Sequence, residues 1–229
     1  MKCLTKSIIL SGLFAIANAD PSIYKTSYQV KDLENWLFKN RICSSTLSEA
    51  QCMTNQNNLK NNLGFEYEQI GTKNPLSISN ISAYSIKYLT KGINDETRTV
   101  SGGVLIPDAP VGKIKGILLF YHSTEMTKYN VPSCFFKAEN LPTYCNINKN
   151  VIGSNYVMEL GSIFASQGYI VVMPDYIGQG IDSDTMHPYV AFPENSANVG
   201  LDMLTPTKEL LKSLNIENDK LNLYISGYS

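Results

Sequence analysis

The sequence predicts an α/β fold: a mostly parallel sheet with an antiparallel hairpin at its N-terminal side and helices on its faces. Three observations carry this. Two adjacent β-prone runs, 81–89 and 97–107, are joined by a short polar link. A continuous apolar run at 116–121 reads as a strand covered on both faces, 169–173 as another buried strand, and the apolar, β-prone run 221–226 as the last strand. Helix-period segments stand between them, and alternating strand and helix means a parallel sheet with flanking helices.

Each element has its own reason. Ile81 to Leu89 alternates two sets of side chains, and Thr97 to Pro107 follows after Asn94-Asp95, which supplies turn chemistry. Gly116 to Tyr121 is an apolar strand. Tyr156 to Gln167 places Tyr156, Leu160, Ile163 and Phe164 on one helical face, with Gly168 as a stop. Tyr169 to Met173 is a buried strand closed by Pro174-Asp175. Asn195 to Leu214 is helical, with Ala197, Leu201, Leu204, Leu211 and Leu214 periodic, and Pro206 is expected to kink or split it. Asn215 to Lys220 is a polar turn before the last strand.

The 229 residues divide into 1–19, 20–65 and 66–229. Lys2 and Lys6 precede an apolar run, Ile8 to Ala17, followed by Ala17-Asn18-Ala19-Asp20. That pattern reads as a secretory signal peptide cut after Ala19. The run is shorter than the roughly 20 apolar residues of a membrane span, and no later stretch is long and apolar enough. Secretion or a periplasmic location follows as the expectation. Residues 20–65 read as an N-terminal extension of short helices, either a cap over a site or packing on the sheet.

Apolar residues make up 43% of the chain and charged ones 17%, an ordinary globular balance. A formal net charge of −1 gives no electrostatic case for nucleic acid. After signal removal four cysteines remain: Cys43, Cys52, Cys134 and Cys145. In an oxidising compartment the local pairs Cys43–Cys52 and Cys134–Cys145 are favoured, although four cysteines allow three connectivities. The spacings are not those of a zinc site and there are only two histidines, so no metal is expected.

The last residues, Ile225-Ser226-Gly227-Tyr228-Ser229, run from a β-prone strand into Gly-x-Ser. Gly-x-Ser alone is common. At the end of a buried strand in an alternating series it has the form of a nucleophile elbow, with Ser229 as nucleophile. Tyr121-His122-Ser123-Thr124 follows the third strand, where a backbone N–H of Ser123 or Thr124 can serve an oxyanion hole. His122 is read as ordering that loop. Asp175 in Pro174-Asp175-Tyr176-Ile177-Gly178-Gln179-Gly180 is read as capping its turn through local side-chain-to-backbone hydrogen bonds. His187, in His187-Pro188-Tyr189, is read as packing or ordering its loop.

These pieces together, with Ser101-Gly102-Gly103-Val104-Leu105-Ile106-Pro107, resemble the N-terminal part of an α/β-hydrolase of the secreted lipase/esterase group, from about Gly102 to Ser229. Residues 20–80 add little to the match. The resemblance implies an incomplete α/β-hydrolase with family strand order 1-2-4-3-5-6-7-8, of which the last strand here is the fifth. It implies a Ser–His–Asp hydrolase of small-molecule or lipid carboxylic esters, without cofactor. The family's Asp, His and second oxyanion amide follow the serine, so the expectation is a chain that ends at the elbow, has little activity alone and carries a bare apolar edge at its fifth strand. An exported peptidase or an acyltransferase of the same fold, or a non-catalytic exported binding or envelope protein, are the competing readings.

Overall fold

The computed structural model describes residues 24–29, 48, 50–51, 80–109, 113–125, 127–134, 142–148, 156–186 and 191–227. Its strands are β1 (Tyr24–Gln29), β2 (Asn80–Lys91), β3 (Thr97–Pro107), β4 (Gly116–Tyr121), β5 (Tyr169–Pro174) and β6 (Leu223–Gly227). Among the described residues the long helices are α1 (Tyr156–Ser166) and α2 (Pro193–Ser213). The strands form one six-stranded sheet in the order β1-β2-β3-β5-β4-β6. The hairpin is present: β2 and β3 pair antiparallel, with Tyr84 opposite Val104 and Tyr88 opposite Val100. Its link turns at Asp95, which adopts φ +62°. β4 lies parallel between β5 and β6, and β5 meets β3 antiparallel. The order of β2 to β6 is the 1-2-4-3-5 order implied by the resemblance, and the fold is that of an incomplete α/β-hydrolase.

The alternation of a strand assigns its side chains to two cores. Val100, Val104, Ile117, Leu119, Ile170 and Val172 face the layer that holds Val199, Met203 and Leu211 of α2. Leu105, Leu118, Phe120, Val171 and Met173 face the layer that holds Ala165 of α1. Covered on both faces, β4 and β5 read as unbroken apolar runs for this reason. β6 is the outer strand on its side. The strand read above as buried is therefore exposed along its length, Leu223, Tyr224 and Ile225 included, the last by 61%, because no described element pairs with its outer edge.

Three other expectations change. Residues Tyr24–Gln29, placed above within a helical extension, form a strand that pairs antiparallel with β2. Their Tyr-Lys-Thr-Ser-Tyr-Gln sequence alternates bulky β-prone with polar residues, which suits an outer strand. α2 runs through Pro206 without a break, the Thr207 hydroxyl donating to the Met203 carbonyl at 2.8 Å. It begins at Pro193, because proline fits the first helical turn, whose N–H groups lack intrahelical partners. The buried stripe of α2 keeps the expected Leu211, with Leu204 and Leu214 packed at its margin, but two of the expected residues fall outside it. Val199, Gly200, Met203, Thr207, Leu210 and Leu211 are buried, while Ala197 and Leu201 are exposed. Gly200 sits on the stripe because a Cβ there would collide with the Tyr121 hydroxyl. That hydroxyl donates to the Ala197 carbonyl at 2.7 Å.

Candidate functional site

The parallel strands β4, β5 and β6 end side by side, and the chain that leaves them builds the site. The register of β4 and β6 sets Gly227 opposite Tyr121. The residue two before Ser229 therefore stands beside the residue that opens the loop His122-Ser123-Thr124. Ser229 itself lies outside the described residues, as do His187, Cys43, Cys52 and the segment 1–19.

His122 is 3% exposed. Its ring centroid is 4.4 Å from that of Tyr176, whose hydroxyl donates to the His122 carbonyl at 2.6 Å. His122 Nδ1 lies 2.8 Å from the Ser123 carbonyl. A carbonyl can only accept, so Nδ1 carries the proton, and among the described residues Nε2 has no hydrogen-bond partner. Burial pushes this imidazole down to about 4, against the opposing pull of the Ser123 carbonyl, the Glu125 carboxylate and the Pro174 carbonyl. The ring is neutral at pH 7. Ser123 is half-buried and Thr124 is exposed, on the open side of the loop.

Asp175 stands at the end of β5 and is fully buried. Its bonds are long-range, which corrects the local-cap reading. The Ser101 hydroxyl of β3 donates to Oδ2 at 2.5 Å, the Ser133 N–H donates to Oδ1 at 3.0 Å, and the Ser133 hydroxyl also donates to Oδ2. Ser101 Oγ in turn accepts the Ile181 N–H at 3.0 Å. The reason is geometric. The carboxylate points into the sheet end rather than along its own turn, and Gly180 makes room for it. A Cβ on Gly180 would collide with Asp175 Oδ2 and Ser101 Oγ, at φ +57°. Burial raises the carboxyl to about 6, and the donors from Ser101 and Ser133 limit that rise.

The turn 176–180 is fastened to the loop after β4. Gln179 Nε2 donates to the Glu125 carbonyl at 3.0 Å, and the Gly180 N–H donates to the Lys128 carbonyl at 2.9 Å. Lys128 Nζ reaches back to the carbonyls of Ser183 and Thr185. Arg98 of β3 grips the outer end of this unit, donating from Nε and Nη2 to the Asp182 carboxylate at 3.1 and 2.7 Å. Asp182 also accepts the Gly178 N–H at 2.9 Å.

The expected Cys134–Cys145 disulfide is present, with Cα atoms 5.4 Å apart. It ties the short 3-10 helix Pro132–Cys134 to a second, Thr143–Asn148. The residue before each cysteine enters the buried polar group. Ser133 bonds Asp175, and the Tyr144 hydroxyl lies 3.1 Å from Ser85 Oγ and interacts with the hydroxyls of Ser133 and Ser101. Sequence reasoning missed Ser101, Ser133, Tyr144, Tyr176 and Gln179. The one available signal was a hydroxyl-bearing residue next to each cysteine of a favoured pair.

Among the described residues, no group of three or more His, Cys, Asp or Glu side chains could hold a metal ion, and no helix is long and apolar enough to cross a membrane.

No protein-family model matches the chain, and no curated protein sequence matches it. Solved structures do. A hydrolase candidate from Legionella pneumophila is 34% identical, with 70% of this chain aligned to 39% of that one at a TM-score of 0.51. The rice cell wall degrading esterase LipA from Xanthomonas oryzae is 21% identical, with 90% of this chain aligned to 41% of that one at a TM-score of 0.54. The chain thus spans about two-fifths of the length of the structures it matches. Over that part it carries the α/β-hydrolase fold.

Proposed function

With that fold as premise, we propose that these residues supply the nucleophile and half of the oxyanion hole of an exported serine hydrolase of carboxylic esters. One observation carries the reading: the Tyr121–Gly227 register sets the strand that leads to Ser229 against the strand that leads to Ser123 and Thr124. A nucleophile at a strand-to-helix turn and a neighbouring main-chain amide are the two groups that acyl transfer needs at one carbonyl. In this reading the Ser229 hydroxyl attacks the ester carbon. The carbonyl oxygen gathers negative charge and accepts a hydrogen bond from the N–H of Ser123 or Thr124. The alcohol leaves, and water releases the acid.

His122 is not the base in this reading. It precedes the serine, it is buried, and its Nδ1 proton is committed to the Ser123 carbonyl. Base and acid come after the serine in chain order, as the resemblance implies. Small-molecule or lipid esters are the proposed substrates, on the strength of the esterase neighbour. The Cys134–Cys145 bridge supports export to an oxidising compartment, and with it the signal peptide at 1–19.

The test is hydrolysis of p-nitrophenyl esters of increasing acyl length by the protein that carries these residues, beside its Ser229→Ala variant. A serine hydrolase loses about 10⁴-fold or more in kcat with that substitution. Equal rates in the two proteins refute the assignment of Ser229.

A further inference from the structure

We infer that Asp175 is a positioning residue through which the Cys134–Cys145 bridge sets the loop that bears Ser123 and Thr124. The bonds form one continuous path. The bridge holds the Pro132–Cys134 turn against the Thr143–Asn148 turn. Ser133, next to Cys134, gives Asp175 both its N–H and its hydroxyl. Ser101 supplies the remaining hydroxyl contact from β3, so three segments distant in sequence meet on one carboxylate. Asp175 opens the turn whose next residue, Tyr176, packs its ring on His122 and donates to the His122 carbonyl. Gln179 of the same turn holds the Glu125 carbonyl. Ser123 and Thr124 thus lie between two carbonyls that are both gripped from the Asp175 turn.

The arrangement is more than packing in one respect. A carboxylate sealed from water is a costly way to join three segments, and an apolar contact would join them without that cost. What the carboxylate adds is direction: a buried acceptor with four lone-pair sites fixes its donors within hydrogen-bond geometry. Loss of one donor leaves the charge under-solvated, and that change is transmitted to the turn.

The catalytic consequence rests on the hydrolase reading above; the mechanical link does not. The test therefore uses His122 as a reporter of the loop, with no substrate present. The chain has two histidines, so His187→Gln leaves one imidazole to follow by NMR. Glu125 and Tyr176 are the titratable groups that bear on it or pack against it, and both are kept; Asp175, raised to about 6, is already protonated where His122 titrates and holds its serines there as a carboxylic acid. In this background His122 is expected to stay neutral until about pH 4. Ser133→Ala, Asp175→Asn and the double variant Cys134→Ser/Cys145→Ser are each expected to raise its midpoint by about one pH unit or more, toward an ordinary histidine, as water reaches the ring. Ser133→Ala combined with the cysteine variant is expected to give the shift of one alone, because both act on the same carboxylate.

An unchanged His122 midpoint in the cysteine variant or in Ser133→Ala overturns the inference, whatever happens to thermal stability. Full additivity of the two also overturns it, since that means separate routes. Ser133→Ala removes one hydroxyl and keeps the Ser133 N–H on Asp175, so it carries the comparison if Asp175→Asn does not fold. Loss of ester hydrolysis with Ser229→Ala is a separate result. The link can fail while the hydrolase reading stands, and the reverse.

Discussion

The loops that leave β4 and β5 make a natural pair. Each begins with a buried ionisable residue at the end of a parallel strand, His122 in one and Asp175 in the other. Burial acts on both in the same sense, against the charged form. It moves the carboxyl from its ordinary 3.8 up to about 6 and the imidazole from 6.5 down to about 4. The surroundings differ. Asp175 has a donor for each oxygen, whereas His122 holds the Ser123 carbonyl at Nδ1 and, among the described residues, has no hydrogen bond at Nε2.

The two contribute to stability with opposite pH dependence. Asp175 holds its proton more tightly when folded, so its contribution is fully present below about 3.8 and is lost as pH rises through about 6. His122 holds its proton less tightly when folded, so its contribution is fully present above 6.5 and is lost as pH falls through about 4. Each is worth about 3 kcal/mol on the scale of 1.36 kcal/mol per pH unit. Tyr144 and Tyr88, which act on Asp175 or feel its charge, are both raised above their ordinary value and stay neutral over this range. The lesson is that neighbouring buried acids and bases can hide each other: from these two groups the stability is nearly flat between pH 4 and 6.

The comparison breaks most severely at Gly180. Gly180→Ala drives a methyl group onto Asp175 and Ser101 at a backbone angle that side chains avoid, and urea unfolding should show a loss of about 3 kcal/mol or more. Removing one member of the pair sharpens it. In Asp175→Asn the Asp175 slope is gone and His122 titrates about one pH unit higher, so stability should increase with pH by about 2 kcal/mol, between about pH 5 and 6.5. In His122→Asn the Asp175 slope stands alone, and stability should fall by about 3 kcal/mol between pH 4 and 6.5. Urea midpoints at a series of pH values read both, and parallel profiles in the two variants contradict the opposition. Further from the pair, Arg98→Ala removes the fork on Asp182 from a side chain 23% exposed, and a loss of about 1 kcal/mol is expected. Smallest of all is Lys220→Ala. The Lys220–Glu217 pair is exposed, at 82% and 61%, and the melting temperature should not change measurably.

Much of the sheet was legible because its strands announce themselves locally. β3 and β4 have the boundaries that their residues predict, and the Gly168 stop has φ +97°. What was hidden is non-local. Tyr24, Thr26 and Tyr28 alternate with polar residues, a visible strand signal, but their partner β2 lies more than fifty residues away. Leu204, Leu211 and Leu214 of α2 pack on the core as their period suggested, but nearer its start the buried face is set by Gly200 against Tyr121 and Met203 against Gly102 rather than by Ala197 and Leu201. Asp175 was placed correctly at the strand end and given the wrong partners, since nothing near it in sequence names Ser101 or Ser133. For the site, Gly227 beside Tyr121 follows from strand order, whereas the polar group beneath it depends on a disulfide that brings Ser133 and Tyr144 together.

The position of β4 has a consequence for how the chain is made. β4 ends at Tyr121, but β6, which covers one of its edges, begins about 100 residues later at Leu223. At a synthesis rate of about 5–20 residues per second, that edge waits on the order of 5–20 seconds for its partner. Throughout that interval Gly116–Tyr121 is a nascent apolar strand with a vacant hydrogen-bonding side, the kind of segment that chaperones shield.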